Sequence, residues 1–136
     1  MRRSLAALLL LAAPALAQEG PMGIAFVQAP EQSWGVSMGA TPAEAFANAT
    51  AMCVDGGALA EDCLRTNWCF PAGWSVDVFL QHQEGLHWHE VVCGLPSREI
   101  GVTIATALCD AVERPYLIGC DLTQVYDPDG TPMMPY

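Results

Sequence analysis

The chain has 136 residues, with 15 acidic side chains against five arginines and a formal charge of −10. It contains no lysine. A field of that sign repels phosphate backbones and anionic lipid surfaces, which argues against nucleic acid and favours a cationic protein partner or simple solubility. The first element is Met1-Arg2-Arg3, followed by an apolar run from Leu5 to Ala13, Pro14, and Ala15-Leu16-Ala17. A basic start, a short apolar stretch and a small-x-small site predict a cleaved secretory signal over residues 1–17, with Gln18 first in the mature chain. The run falls well short of the roughly 20 residues that span a bilayer. No membrane span is expected after cleavage, and a periplasmic or extracellular location is.

Residues 18–136 then suffice for a single domain with one core. Gly23 to Gln28 and Ser33 to Met38 are β-prone runs on either side of Ala-Pro-Glu-Gln, which reads as a hairpin. Thr41 caps a helix reaching about Val54, with Pro42 at its first position and Glu44 completing a capping box. Asp55-Gly56-Gly57 ends it, and Cys63 to Phe70 reads as a strand. The same series follows again. Trp74 to His82 and Leu86 to Cys93 turn at Glu84-Gly85, a helix runs from Ser97 to about Val112, and Tyr116 to Tyr126 is the last strand. Residues 127–136 hold three prolines and read as a loose tail.

The repetition extends to individual positions. Ala49-Thr50-Ala51-Met52-Cys53 matches Ala105-Thr106-Ala107-Leu108-Cys109, Thr41 matches Ser97, and Cys63 matches Cys120. Cys69-Phe70-Pro71-Ala72-Gly73 matches Tyr126-Asp127-Pro128-Asp129-Gly130. Upstream, Phe26 and Trp34 match Phe79 and Trp88, with a one-residue difference in spacing. Self-similarity of this kind predicts a tandem ββαβ repeat, about 22–73 and 74–130. The expected fold is α+β: a mostly antiparallel sheet with two helices on one face, stapled by disulfides.

All six cysteines follow the predicted signal, an even count typical of a disulfide set in an exported chain. The repeat selects Cys53–Cys63 and Cys109–Cys120, each closing a helix-to-strand loop. Cys69 and Cys93 have no counterparts. They either join each other and tie the units together, or stay free, or bind a metal.

Gly23-Ile24-Ala25, Trp34-Gly35 with Ser37 and Gly39, Ala43-Glu44-Ala45, Cys53, Cys63 and Asn67-Trp68-Cys69 together resemble the domain-of-unknown-function 4189 family of small exported bacterial domains. In that family a Trp- and Gly-containing strand pair leads into a helix ending in Cys, often twice, and Ser97-Arg98-Glu99 resembles the second helix start. The resemblance implies an exported, disulfide-stabilised domain. It implies no activity and no catalytic residues. The second hairpin departs from it at Leu86-His87-Trp88-His89-Glu90.

That hairpin holds every histidine of the chain. Pairing across Glu84-Gly85 sets His82 opposite His87, and His87 and His89 alternate onto one face, so three imidazoles are expected to converge as zinc or copper ligands. A hydrolase finds less support: no serine lies in G-x-S-x-G, and no acid–His–nucleophile order is legible. The four tryptophans read as core aromatics rather than interface anchors. The leading expectation is a non-enzymatic envelope protein that works by binding. A periplasmic metal-binding protein using His82, His87 and His89 is the alternative.

Overall fold

The computed structural model describes residues 20–134. The predicted signal segment lies outside these residues, as do Pro135 and Tyr136. In chain order the elements are β1 (Gly23–Ala29), β2 (Ser33–Gly39), α1 (Pro42–Asp55), β3 (Leu64–Cys69), β4 (Trp74–His82), β5 (His87–Leu95), α2 (Arg98–Leu108) and β6 (Leu117–Tyr126). The α+β class and the ββαβ order of each half are as expected. The strands, however, form two antiparallel three-stranded sheets, ordered β2-β1-β3 and β5-β4-β6, instead of one.

The reason lies in where each third strand returns. β3 pairs with the free edge of β1, Ile24 opposite Cys69, and β6 pairs with the free edge of β4, Val76 opposite Val125. Each hairpin's first strand thus becomes the centre of its own sheet. Alternation along a strand then gives each sheet two faces. On β1, Val27 and Ala29 pack with Phe46, Ala49 and Cys53 of α1, while Ile24 and Phe26 pack with Val91, Cys93 and Tyr126 of the other sheet. On β4, Val78 and Leu80 pack with Ala105 and Leu108 of α2. The layers therefore run helix, sheet, sheet, helix, with one core between the sheets and one beneath each helix. Each helix covers its own sheet, which corrects the expectation of two helices on one face.

Both helices sit close to their sheets, by different means. In the first unit the strand gives way: a Cβ on Gly35 would meet the Ala49 carbonyl oxygen of α1. In the second the helix gives way: a Cβ on Gly101 would lie 2.6 Å from Val76 Cγ1. The caps are as expected. Thr41 Oγ1 accepts from Glu44 N at 3.3 Å, Ala40 N donates to Glu44 Oε2 at 3.1 Å, and Ser97 Oγ accepts from Ile100 N at 3.3 Å. α2 ends before Val112, because Asp110 Oδ1 accepts from Val112 N at 2.8 Å and so competes with the helical pattern.

Three disulfides fix the layers: Cys53–Cys63, Cys69–Cys93 and Cys109–Cys120. The first ties the end of α1 to the residue just before β3, and the third ties the end of α2 to β6 itself. Cys69–Cys93 joins β3 to β5 and so crosses from one sheet to the other. Asn67 Nδ2 donates to Val91 O across the same seam at 3.1 Å.

The tail is not loose over its described part. Gln124 is buried, and its Oε1 accepts from Met133 N and Met134 N at 3.1 and 2.8 Å, while Nε2 donates to Met134 O at 3.1 Å. Pro132 bridges to Tyr126. A buried amide must find partners, and the tail backbone supplies them. Proline content alone gives no hint of that.

Candidate functional site

Cys69 lies opposite Ile24, near the start of β1, so the disulfide holds the two sheets at that end. At the other end of β1 the sheets part to leave a cleft of about 450 Å³. Gln28, Glu31 and Trp34 line it from the first unit, and His87 and His89 from the second.

The near wall is a tight turn. Gln32 N donates to Ala29 O at 3.0 Å, with Pro30 and Glu31 between. Proline in second place and a positive φ in third define a type II turn. Glu31 has that positive φ, 63°. The position ordinarily takes Gly or Asn, and a glutamate held there stores on the order of 1 kcal/mol of backbone strain. What it gains is contact with the second unit. Glu31 Oε1 accepts from His87 N at 3.2 Å and stands 3.6 Å from His87 Nδ1.

The far wall is the inner face of β4 and β5. Phe79 is opposite His89 in the ladder, and both histidine rings pack on it, with centroids 5.5 Å from His87 and 5.6 Å from His89. His89 Nδ1 lies 2.8 Å from Asp77 Oδ1. Asp77 is only 8 % exposed. A buried carboxylate demands a donor, and a carboxylate can only accept. The neutral His89 ring therefore carries its proton on Nδ1, and Nε2 keeps a lone pair.

The three histidines do not converge. The ladder sets Gln81, not His82, opposite His87, while His82 N donates to Leu86 O at 2.7 Å. A shift of one residue moves a side chain to the opposite face of a sheet. His82 instead packs on Tyr116, with centroids 5.3 Å apart, and its Nδ1 accepts from Glu84 N at 3.1 Å. Among the described residues no three His, Cys, Asp or Glu side chains are grouped to hold a metal ion. The expected zinc or copper site at His82, His87 and His89 is thereby corrected. So is the free-thiol or metal alternative for Cys69 and Cys93, which are bonded to each other.

The matched tryptophans also part company. Trp34 is opposite Gln28 and lines the cleft; Trp88, which also borders the cleft, is opposite Leu80 and packs with the core beneath α2. The one-residue difference in spacing from Phe26 and Phe79 produces that reversal. Phe26 and Phe79 do share a face. Trp88 Nε1 donates to Glu90 Oε1 at 3.3 Å, and Arg114 Nη1 donates to the same oxygen at 2.9 Å. That bond to the Glu90 carboxylate raises the Arg114 pKa above its ordinary value.

Sequence reasoning found His87 and His89 but missed Glu31 and Asp77, the residues that position them. Asp77 did carry a signal. It interrupts the apolar strand Val76-Asp77-Val78-Phe79-Leu80, where a charge needs a partner. Among the described residues, the Asp77 carboxylate and the His89 ring make no hydrogen bond to a hydroxyl or thiol, the Thr123 hydroxyl donating instead to the Asp77 backbone carbonyl at 3.0 Å, and every described cysteine is in a disulfide. The arrangement is a cleft with an imidazole held against a buried carboxylate on one wall and a second carboxylate at its lip, in a disulfide-stapled α+β domain. No protein-family model, curated protein or solved structure matches the chain.

Proposed function

We propose that this is an exported, disulfide-stabilised binding domain of the cell envelope, and that its partner is a cationic protein engaged at the cleft between the sheets. One observation carries the reading. The cleft opens at the end of the sandwich away from Cys69–Cys93, and its lining includes Glu31 but no arginine. The described arginines are elsewhere: Arg65 lies over the Phe46 ring, Arg114 is on Glu90, and Arg98 begins α2. Three disulfides suit an oxidising compartment, and no described helix is long and apolar enough to cross a membrane. An acid excess of 15 against five steers cationic partners through solution, an effect that salt screens beyond about 8 Å at physiological ionic strength.

The test is calorimetric titration of the oxidised protein with a basic protein such as lysozyme. Binding at low salt that weakens about tenfold or more towards 0.5 M salt is expected from screening. No binding at low salt, or binding indifferent to salt, sinks the reading.

A further inference from the structure

The chemistry of the cleft narrows what enters it. Three features set its preference. Glu31 holds its carboxylate at the lip from a backbone position that disfavours it. One oxygen, Oε1, accepts from His87 N, and Oε2 makes no hydrogen bond with a described residue. On the opposite wall, His89 Nδ1 faces Asp77 Oδ1, so in the neutral ring the proton sits on Nδ1 and Nε2, which makes no hydrogen bond with a described residue, is an acceptor. His89 lines the cleft, and its Nδ1 is engaged by Asp77. Trp34, 39 % exposed, lines the cleft from the Glu31 side. A carboxylate, an imidazole acceptor and an indole together favour a planar cation rich in N–H donors.

We propose that the cleft is a receptor for an N–H-bearing organic cation, a guanidinium first and a primary ammonium second. Glu31 takes the charge and one N–H, His89 Nε2 accepts a second N–H, and Trp34 supplies the apolar wall. The proposal rests on the reading of the protein as a binder of cationic partners, and assigns that binding to one group at one site. The guanidinium can come from an arginine side chain of a protein or from a free small molecule. A quaternary ammonium has the same charge but no N–H to give, so it is the discriminating control.

Titrations of the oxidised, full-length mature protein use N-acetyl-arginine amide, a tri-arginine peptide and tetramethylammonium. The arginine amide is expected to bind, and tetramethylammonium to bind at least about tenfold more weakly for want of charge-assisted hydrogen bonds. A peptide that binds far more tightly than the amide assigns the site to a protein's arginine; equal affinities assign it to a free guanidinium. Glu31→Gln keeps an acceptor for His87 N and removes the charge, with an expected loss of about tenfold or more. His89→Asn keeps a donor near Asp77 but removes the Nε2 acceptor, and is expected to lose several-fold. Glu113→Gln, at an exposed acid outside the cleft, is expected to stay within about twofold, as a screened surface charge does. Unchanged melting temperatures for the variants separate binding loss from unfolding. Equal binding of tetramethylammonium, or wild-type affinity in Glu31→Gln, overturns the proposal. If the basic protein binds by salt-sensitive contacts while the arginine amide does not, this inference falls and the broader reading stands. If neither binds, both fall.

Discussion

The two sheets turn very different inner faces towards each other. The first offers Ile24, Phe26, Val36 and Met38, all apolar. The second sets Ser75, Asp77 and Gln124, each buried, beside Phe79 and the two histidines. Their outer faces, under the helices, are alike: small residues and aliphatics packed on a helix that ends in a disulfide. The shared scaffold is therefore in the helix layers, and the buried polar groups between the sheets belong mainly to the second unit, met by Asn67 and the Glu31 turn of the first. Tandem units of the same topology allow this. The helix–sheet packing secures each unit, which leaves the facing surfaces able to differ.

The largest expected effect tests whether the helix layers are as alike as their topology. Alanine is placed at Gly35 and, separately, at Gly101. At Gly35 the new methyl would strike the Ala49 carbonyl oxygen, which cannot move without lifting α1 off the sheet. A loss of about 3 kcal/mol or more is expected from overpacking against backbone. At Gly101 it would meet side chains rather than backbone, Val76 Cγ1 at 2.6 Å and Leu95 Cδ1 at 3.4 Å, and the gain in helix propensity, about 1 kcal/mol, offsets part of the strain. Denaturant unfolding of both variants reads the difference. Equal losses would mean that the two helices are seated in the same way.

The second effect concerns the polar inner face. Replacing His89 with Leu leaves the Asp77 carboxylate, 8 % exposed, without its 2.8 Å partner. Stranding a buried acceptor costs on the order of 2–3 kcal/mol. Asp77→Asn together with His89→Leu should recover part of that loss, since no charge is then buried. The apolar inner face has no such coupled pair. A double variant no more stable than His89→Leu alone would show that the pair does not act as a unit.

The sequence made the helices legible because caps, proline and period all agree there. The pairings Cys53–Cys63 and Cys109–Cys120 were legible because matched positions constrained them, whereas Cys69–Cys93 was only one of three open outcomes. The two-sheet arrangement was less so, although Gly23-Ile24-Ala25-Phe26-Val27 is apolar on both alternating faces and so asks for cover on both sides. The candidate site was half legible. His87 and His89 stood out by residue type, but their partners come from a turn 56 residues away and from the neighbouring strand. The face of His82 and of Trp88 was decided by one-residue shifts in register, which composition does not carry. Gln124, which holds the tail, has no local pattern at all.

The smallest effect returns to the helix starts, where the units differ in how an acid is used. In α1, Glu44 reaches back past the Thr41 cap to accept from Ala40 N, one residue before the position a capping box uses. In α2, the acid comes one position earlier, and Glu99 is lowered from its ordinary value of 4.5, first by its own backbone N–H and then by the Ser97 hydroxyl. A carboxyl whose folded pKa is depressed releases its proton more readily in the folded state. Its contribution to stability is therefore present above the unfolded value and is lost as pH falls through the folded one. Glu99→Gln should melt slightly below the wild type at pH 7, and the gap should close as the pH drops below about 4. Because Glu99 is exposed, added salt should shrink the same gap at pH 7. Thermal melts of both proteins across pH 3–7 measure it. A gap that persists unchanged at pH 3 would mean that the side chain acts there by packing or propensity, and that the two helix starts are closer in kind than their acids suggest.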